Sequence, residues 1–346
     1  EYFAAINGPH PTYRGGGVQE LLGAYERQTP INIGYLLPAS TLRYEAMGQA
    51  QRVPTPSELE LMREWVIQGM AEGALGISTG LDYIPGIFAS AQEIAALCAP
   101  VAEAGGLYVT HMRGGYEANS EEGVEEVIQI AQEARIAAHI SHFHAEPHIV
   151  KSLLRTARSQ GVDMTFDAYP YTRGCTLVSM AILPPELINQ PTDKVVGILT
   201  DPDQREHLRR TWFPQVEHNP SLGPNWPQMI VLGHVPHPDF AWAHGKTLAE
   251  GARENGQEII DFTLDLLAAC RLEVNAIMSV RYTRDVHHLG AIFQDEGHMG
   301  GSDGIFIGQH PHPRGYGSFA RYLHQFVTSH NYWTWSQAVD HLSHNP

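Results

Sequence analysis

GGLYVTHMRGGYEANSEEGVEEVIQIAQEARIAAHISHFH, residues 105–144, carries an apolar run that ends at His111, a helical segment, and a second apolar run that ends at His142. Residues 107–110 are short, apolar and β-branched behind Gly105 and Gly106, the pattern of a buried parallel strand. Over 120–134 the positions Val124, Val127, Ile128, Ile130 and Ala131 recur at helical spacing. Glu121, Glu122, Glu125 and Glu126 crowd the first turns, where the helix dipole stabilises them. Residues 136–143 read as the next strand, and its period of two predicts Ile140, His142 and His144 on one face. Strand, crossover helix and strand make a βαβ unit with a histidine closing each strand, and in a barrel of parallel strands the carboxyl ends carry the chemistry.

Twenty histidines stand among 346 residues, so one alone says little. Two at equivalent ends of neighbouring strands are what a zinc site needs, because neutral imidazole is a common metal ligand. Working outward, residues 18–28 read as a helix and 31–37 as a buried strand. Ser57 with Glu60 forms a capping box ahead of a helix over 57–71. Residues 73–78 read as a strand leading into TGLDYIPGIFAS, a Gly- and Pro-punctuated loop of the kind that overhangs a barrel mouth; 91–104 follow as a helix. Beyond the central unit, 149–160 read as a helix and 163–169 as a strand, then a loop from Pro170 to Thr176. The proline-rich stretch at about 184–227 reads as an insertion. Strands are expected at 229–232 and 274–280, helices at 246–255 and 259–269, a strand end at 299–304, a loop HPHPRGYGSF, and a last helix from Ser336. Strands alternating with helices along almost the whole chain predict an α/β fold, a (β/α)8 TIM-type barrel.

A net charge of −16 argues against nucleic acid or an anionic membrane as a partner. Cys98, Cys175 and Cys270 are far apart and in no CxxC arrangement, which fits a reducing cytoplasm. No apolar run reaches the roughly 18 residues of a spanning helix. The opening EYFAAINGPHP shows neither Met nor a signal-peptide pattern, so the chain reads as starting inside a longer protein.

Asp303, in GGSDG at a strand end, is the candidate proton carrier: with two histidines it makes the set that holds zinc and takes a proton from the metal's water. Arg314, eleven residues on, offers a two-pronged grip on a substrate carboxylate. His310 and His312, broken up by prolines, read as loop structure.

GALGISTGLDYIPGIFAS, THMRGGYE, ISHFH, FDAYPYTRGCT, GKTLAE and GGSDGIFIGQHPHPRGYGSF, in this order, resemble the N-acyl-D-amino-acid deacylase (D-aminoacylase) family of the amidohydrolase superfamily. The resemblance implies a zinc-dependent distorted barrel that hydrolyses N-acyl-D-amino acids to a carboxylate and a D-amino acid. It implies attack by zinc-bound hydroxide, with Asp303 as base and then acid. His111 and His142 match the metal ligands, and Tyr169 and Arg314 match substrate contacts. His144 stands where a lysine is common, Cys175 where a substrate-contacting serine is usual, and Gly114-Gly115 where acidic residues are usual. The family's opening HxH and zinc-ligating cysteine, and its small terminal β-domain, are not in this sequence, so residues 1–346 read as an incomplete amidohydrolase barrel. The alternatives are a dihydroorotase- or hydantoinase-like cyclic-amide hydrolase, for which no lysine stands at a suitable strand end, and a non-catalytic paralogue.

Overall fold

The computed structural model describes residues 15–188, 190–219, 221–306 and 311–346, so the opening stretch and His310 lie outside the described residues. In chain order the strands are β1 (Leu36–Pro38), β2 (Gly76–Gly80), β3 (Leu107–His111), β4 (Ala137–Ile140), β5 (Met164–Ala168), β6 (Gly174–Leu177), β7 (Ile230–His234), β8 (Asn275–Met278) and β9 (His298–Gly300). The chain divides into two compact units, one built mainly from residues up to 168 with 292–301, the other from 169–291 with 302–343.

The first unit holds a six-stranded, all-parallel sheet in the order β1-β2-β3-β4-β5-β9. Helices Pro56–Ala71, Ala91–Glu103, Ser120–Ala134 and Pro147–Ser159 connect successive strands. The crossover helix Ser120–Ala134 spans the residues its periodicity predicts and buries Val124, Val127, Ile128, Ile130 and Ala131. It stops at Arg135, whose φ of 55° ends the helical path. Inside the sheet, the Thr79 hydroxyl bonds both the Tyr108 hydroxyl at 2.9 Å and the Thr110 hydroxyl at 2.8 Å, which satisfies three buried polar groups at once. Cys98 is fully buried in its helix, a core residue as its apolar neighbours suggest.

The second unit holds a three-stranded antiparallel sheet, β6-β8-β7. The α/β class stands, but the strands expected at 229–232 and 274–280 do not join the parallel sheet; they pair antiparallel through Ile230↔Met278 and Leu232↔Ala276. A buried strand reads as a continuous apolar run in either sense, so periodicity alone does not give its direction. Residues 174–176, at the end of the stretch read as a loop, belong to strand β6. Val195, Leu199, Phe213 and Trp226, from the proline-rich stretch, share one core with Ile230, Leu232 and Ala276 of the antiparallel sheet.

One helix start also moves. Helix Pro56–Ala71 is capped by Thr55, not Ser57: the Thr55 side chain accepts from the Glu58 N–H, and Glu58 returns to the Thr55 N–H. Pro56 then falls where a helix needs no N–H donor. Thr55→Ala should therefore cost about 1 kcal/mol of unfolding free energy in urea titrations, whereas Ser57→Ala should stay within about 0.5 kcal/mol.

Candidate functional site

His111 is the last residue of β3, and β3 pairs with β4 in the register Thr110↔Ile140. The next rung sets His111 opposite Ser141, so in a regular strand His142 would turn to the other face. It does not. β4 ends at Ile140, and His142 takes φ 39°, in the left-handed region that a bulky residue adopts only when its surroundings hold it there. The hold is Asp167, whose Oδ1 accepts the His142 N–H at 2.8 Å while its Oδ2 lies 3.1 Å from His139 Nε2. The result is a pair of imidazoles, His111 and His142, edge to face with ring centroids 4.7 Å apart.

Tyr116 sits among the histidines: its ring centroid is 5.0 Å from that of His111, 5.1 Å from His142 and 5.1 Å from His144, and its hydroxyl donates to the Ser141 carbonyl at 2.6 Å. His144 stacks on that ring, with Nδ1 2.8 Å from the His142 carbonyl and Nε2 3.5 Å from Glu117. Asp82, from the TGLDYIPG loop, comes within 3.4 Å of His111 Nδ1 and accepts the Gly114 N–H at 2.7 Å. Gly114 and Gly115 both have positive φ, 73° and 75°, which is the physical use of glycine at those two positions. Burial pushes the Asp82 carboxyl up to about 6, against the pull of the Gly114 amide and Arg113. Burial first, and His142 next, hold the His111 imidazole well below its ordinary range. His111 is thereby neutral, the form a metal ligand takes.

In the second unit, Asp303 also has a left-handed backbone, φ 45°. Its Oδ2 lies 2.9 Å from Nη1 of Arg314, which is 2% exposed. Arg314 donates from Nη2 to the Cys175 carbonyl at 2.9 Å, and its guanidinium carbon stands 4.7 Å from the Tyr169 ring centroid. The expected loop around Arg314 is instead the start of helix Arg314–Tyr322. His312 Nδ1 accepts the Arg314 N–H at 3.1 Å, and burial, with Arg314 and Arg321 nearby, pushes its imidazole down to about 4. Cys175 offers its carbonyl rather than its sulfur, and burial pushes the thiol up. Asp303, Arg314, Tyr169 and Cys175 are thus gathered in this unit, as His111, His142 and His144 are in the other. Asp82, Tyr116 and Asp167 are the residues that sequence reasoning missed.

Among the described residues no three His, Cys, Asp or Glu side chains gather into a metal-holding group; His111 and His142 stand side by side as a pair. No helix among them is long and apolar enough to cross a membrane.

No protein-family model matches the chain. It is 29% identical over 332 residues to the N-acyl-D-glutamate deacylase of Alcaligenes xylosoxydans xylosoxydans, covering 94% of this chain and 57% of that protein. It is 30% identical over 310 residues to the D-aminoacylase of the same organism, covering 87% and 53%. Among solved structures, the N-acyl-D-glutamate deacylase of Bordetella bronchiseptica, complexed with zinc and a phosphonate mimic of the tetrahedral intermediate, superposes with a TM-score of 0.71 at 26% identity, over 96% of this chain and 61% of that one. In sequence and in fold the chain is similar to the N-acyl-D-amino-acid deacylases of the amidohydrolase superfamily. A D-aminoacylase crystal structure agrees, with a TM-score of 0.69 at 25% identity over 97% of this chain and 63% of that one. The chain spans just over half the length of the curated relatives it matches.

Two measurements follow from the histidine cluster. Asp167→Ala removes the acceptor for the His142 N–H and should lower unfolding free energy by about 1.5–3 kcal/mol in a denaturant titration. In metal-free protein, the unfolded chain binds a proton on residue 111 near pH 6.5 that the folded chain refuses. That stabilisation is present above pH 6.5 and lost as pH falls below it, so His111→Gln should flatten the acid limb of Tm measured from pH 5 to 7.5.

Proposed function

We propose that this chain forms most of the hydrolytic barrel, residues 1–346, of a zinc-dependent deacylase that cuts the linear amide of small N-acyl-D-amino acids into a carboxylate and a free D-amino acid. The observation that carries the reading is the imidazole pair at the ends of β3 and β4, in a chain whose fold and sequence follow the deacylases over nearly all its length. Family resemblance alone would support kinship; the neutral, adjacent rings support metal chemistry.

His111 and His142 would hold zinc, which suits the donor set: two half-buried imidazoles side by side, one of them held neutral by its surroundings. When bound, zinc supplies Lewis acidity toward the scissile carbonyl and acidifies a water toward neutral pH. The remaining work falls to the protein's own groups. Asp303 takes the proton of the attacking water and returns it to the departing amine nitrogen, so that the amine leaves neutral. Arg314 holds Oδ2 of that carboxylate at 2.9 Å, fixing which way Asp303 faces. With two of its nitrogens engaged on Asp303 and the Cys175 carbonyl, Arg314 keeps its buried Nε donor for the substrate α-carboxylate. Tyr169 supports the guanidinium through its ring face, and Cys175, in the same unit, accepts from it through its carbonyl.

The test combines metal content with turnover of N-acetyl-D-amino acids. Zinc near one per chain should fall on His111→Ala or His142→Ala, and Asp303→Asn should keep the metal while losing about 10²–10⁴-fold in kcat. Full activity in Asp303→Asn, or unchanged zinc in both histidine variants, would contradict the assignment.

A further inference from the structure

Three arginines among the described residues are buried: Arg43, Arg284 and Arg314. Arg43 meets Glu93 and the carbonyls of Ala50 and Arg52, and Arg314 meets Asp303 and the carbonyl of Cys175. Arg284, between β8 and helix Val286–Phe293, is 8% exposed, and none of Nε, Nη1 and Nη2 has a hydrogen-bond partner. Its contact is with a ring: the guanidinium carbon lies 5.3 Å from the centroid of Tyr169, the residue that also carries Arg314 at 4.7 Å.

A guanidinium does not shed its charge by deprotonation at accessible pH. The aromatic face offsets part of the cost of burying it but accepts none of its N–H donors. A group of this kind is kept where a ligand brings the acceptor, and a planar fork of donors matches a carboxylate. We infer that Arg284 is a second carboxylate-binding residue, beside Tyr169, and that it selects N-acyl-D-amino acids with an acidic side chain. This rests on the deacylase reading above, in which Arg314 serves the α-carboxylate. The fork of Arg314 is already engaged by Asp303 and Cys175, so a further carboxylate is left to Arg284. A neutral amide of the same shape accepts from one of these donors but sets its own NH2 group against another and brings no charge, and that difference is the source of the selectivity.

The pair D-glutamate and D-glutamine, equal in shape and different in charge, is the probe. Their binding to the zinc-loaded protein is measured calorimetrically, and kcat/KM is measured for their N-acetyl forms, in the wild type, Arg284→Met and Arg284→Lys. The wild type should favour the acid over the amide by about 10–100-fold in both readouts. Arg284→Met should bring the ratio to one or below by weakening the acid alone, and Arg284→Lys should keep part of the preference. The lysine variant preserves the test if the methionine variant does not fold, which thermal melting reports. A wild-type ratio near one, a ratio unchanged by both substitutions, or an equal loss for acid and amide would each overturn the inference. Hydrolysis of neutral N-acetyl-D-amino acids with no dependence on Arg284 removes the selectivity and leaves the deacylase standing. Acid binding that depends on Arg284 in a protein that hydrolyses no N-acyl-D-amino acid supports the carboxylate site and removes the deacylase.

Discussion

One hydrogen bond, from the His142 N–H to Asp167, decides whether this protein has a pair of imidazoles. Parallel pairing is rigid about faces: with Thr110 opposite Ile140, His111 and His142 belong to opposite sides of the sheet. Bringing them together requires the chain to leave the extended region two residues past the end of β4, at His142. The cost of a left-handed histidine, on the order of 1–3 kcal/mol, is offset by a carboxylate on the next strand, β5, which meets the His142 N–H at 2.8 Å and stands beside His139 as well. Tyr116 then fills the space against all three histidine rings, so a position that is strained in the backbone is fixed by packing from the side.

The second unit repeats the device in another form. Asp303 is also left-handed, and what holds it is the guanidinium of Arg314, itself set by the His312 ring nitrogen at its own N–H and by the carbonyl of Cys175. Buried charges of this kind contribute little net stability, because desolvation cancels most of the attraction. What they give is orientation. The unpartnered guanidinium of Arg284 belongs to the same logic: it costs stability in the free protein and returns it when an anion arrives.

How much of this was legible in the sequence can be argued residue by residue. The helix over 120–134 was readable to its last residue because its apolar stripe and acidic first turn agree. The cap of helix Pro56–Ala71 was misplaced by two residues because Thr55 and Ser57 both offer a hydroxyl with a glutamate three positions on, and only geometry chooses between them. Arg314 read as a loop residue because prolines surround it, yet a proline just before a first turn is compatible with starting a helix. His111, His142 and Asp303 stood out as chemistry at strand ends. Asp167, Asp82 and Tyr116 did not, since a carboxylate in a strand or a tyrosine in a glycine-rich loop looks the same whether it positions a ligand or merely faces solvent. The face assigned to His142 by a period of two was correct for a strand and wrong for this residue, because the strand ends first.

The account stands or falls on His111 and His142 sharing one ion. Crystals grown with zinc and measured on both sides of its absorption edge locate the metal directly. The account predicts an anomalous peak at about 2.0–2.1 Å from one nitrogen of each of these two rings. Zinc bound to only one of them, or held elsewhere in the chain, would contradict it.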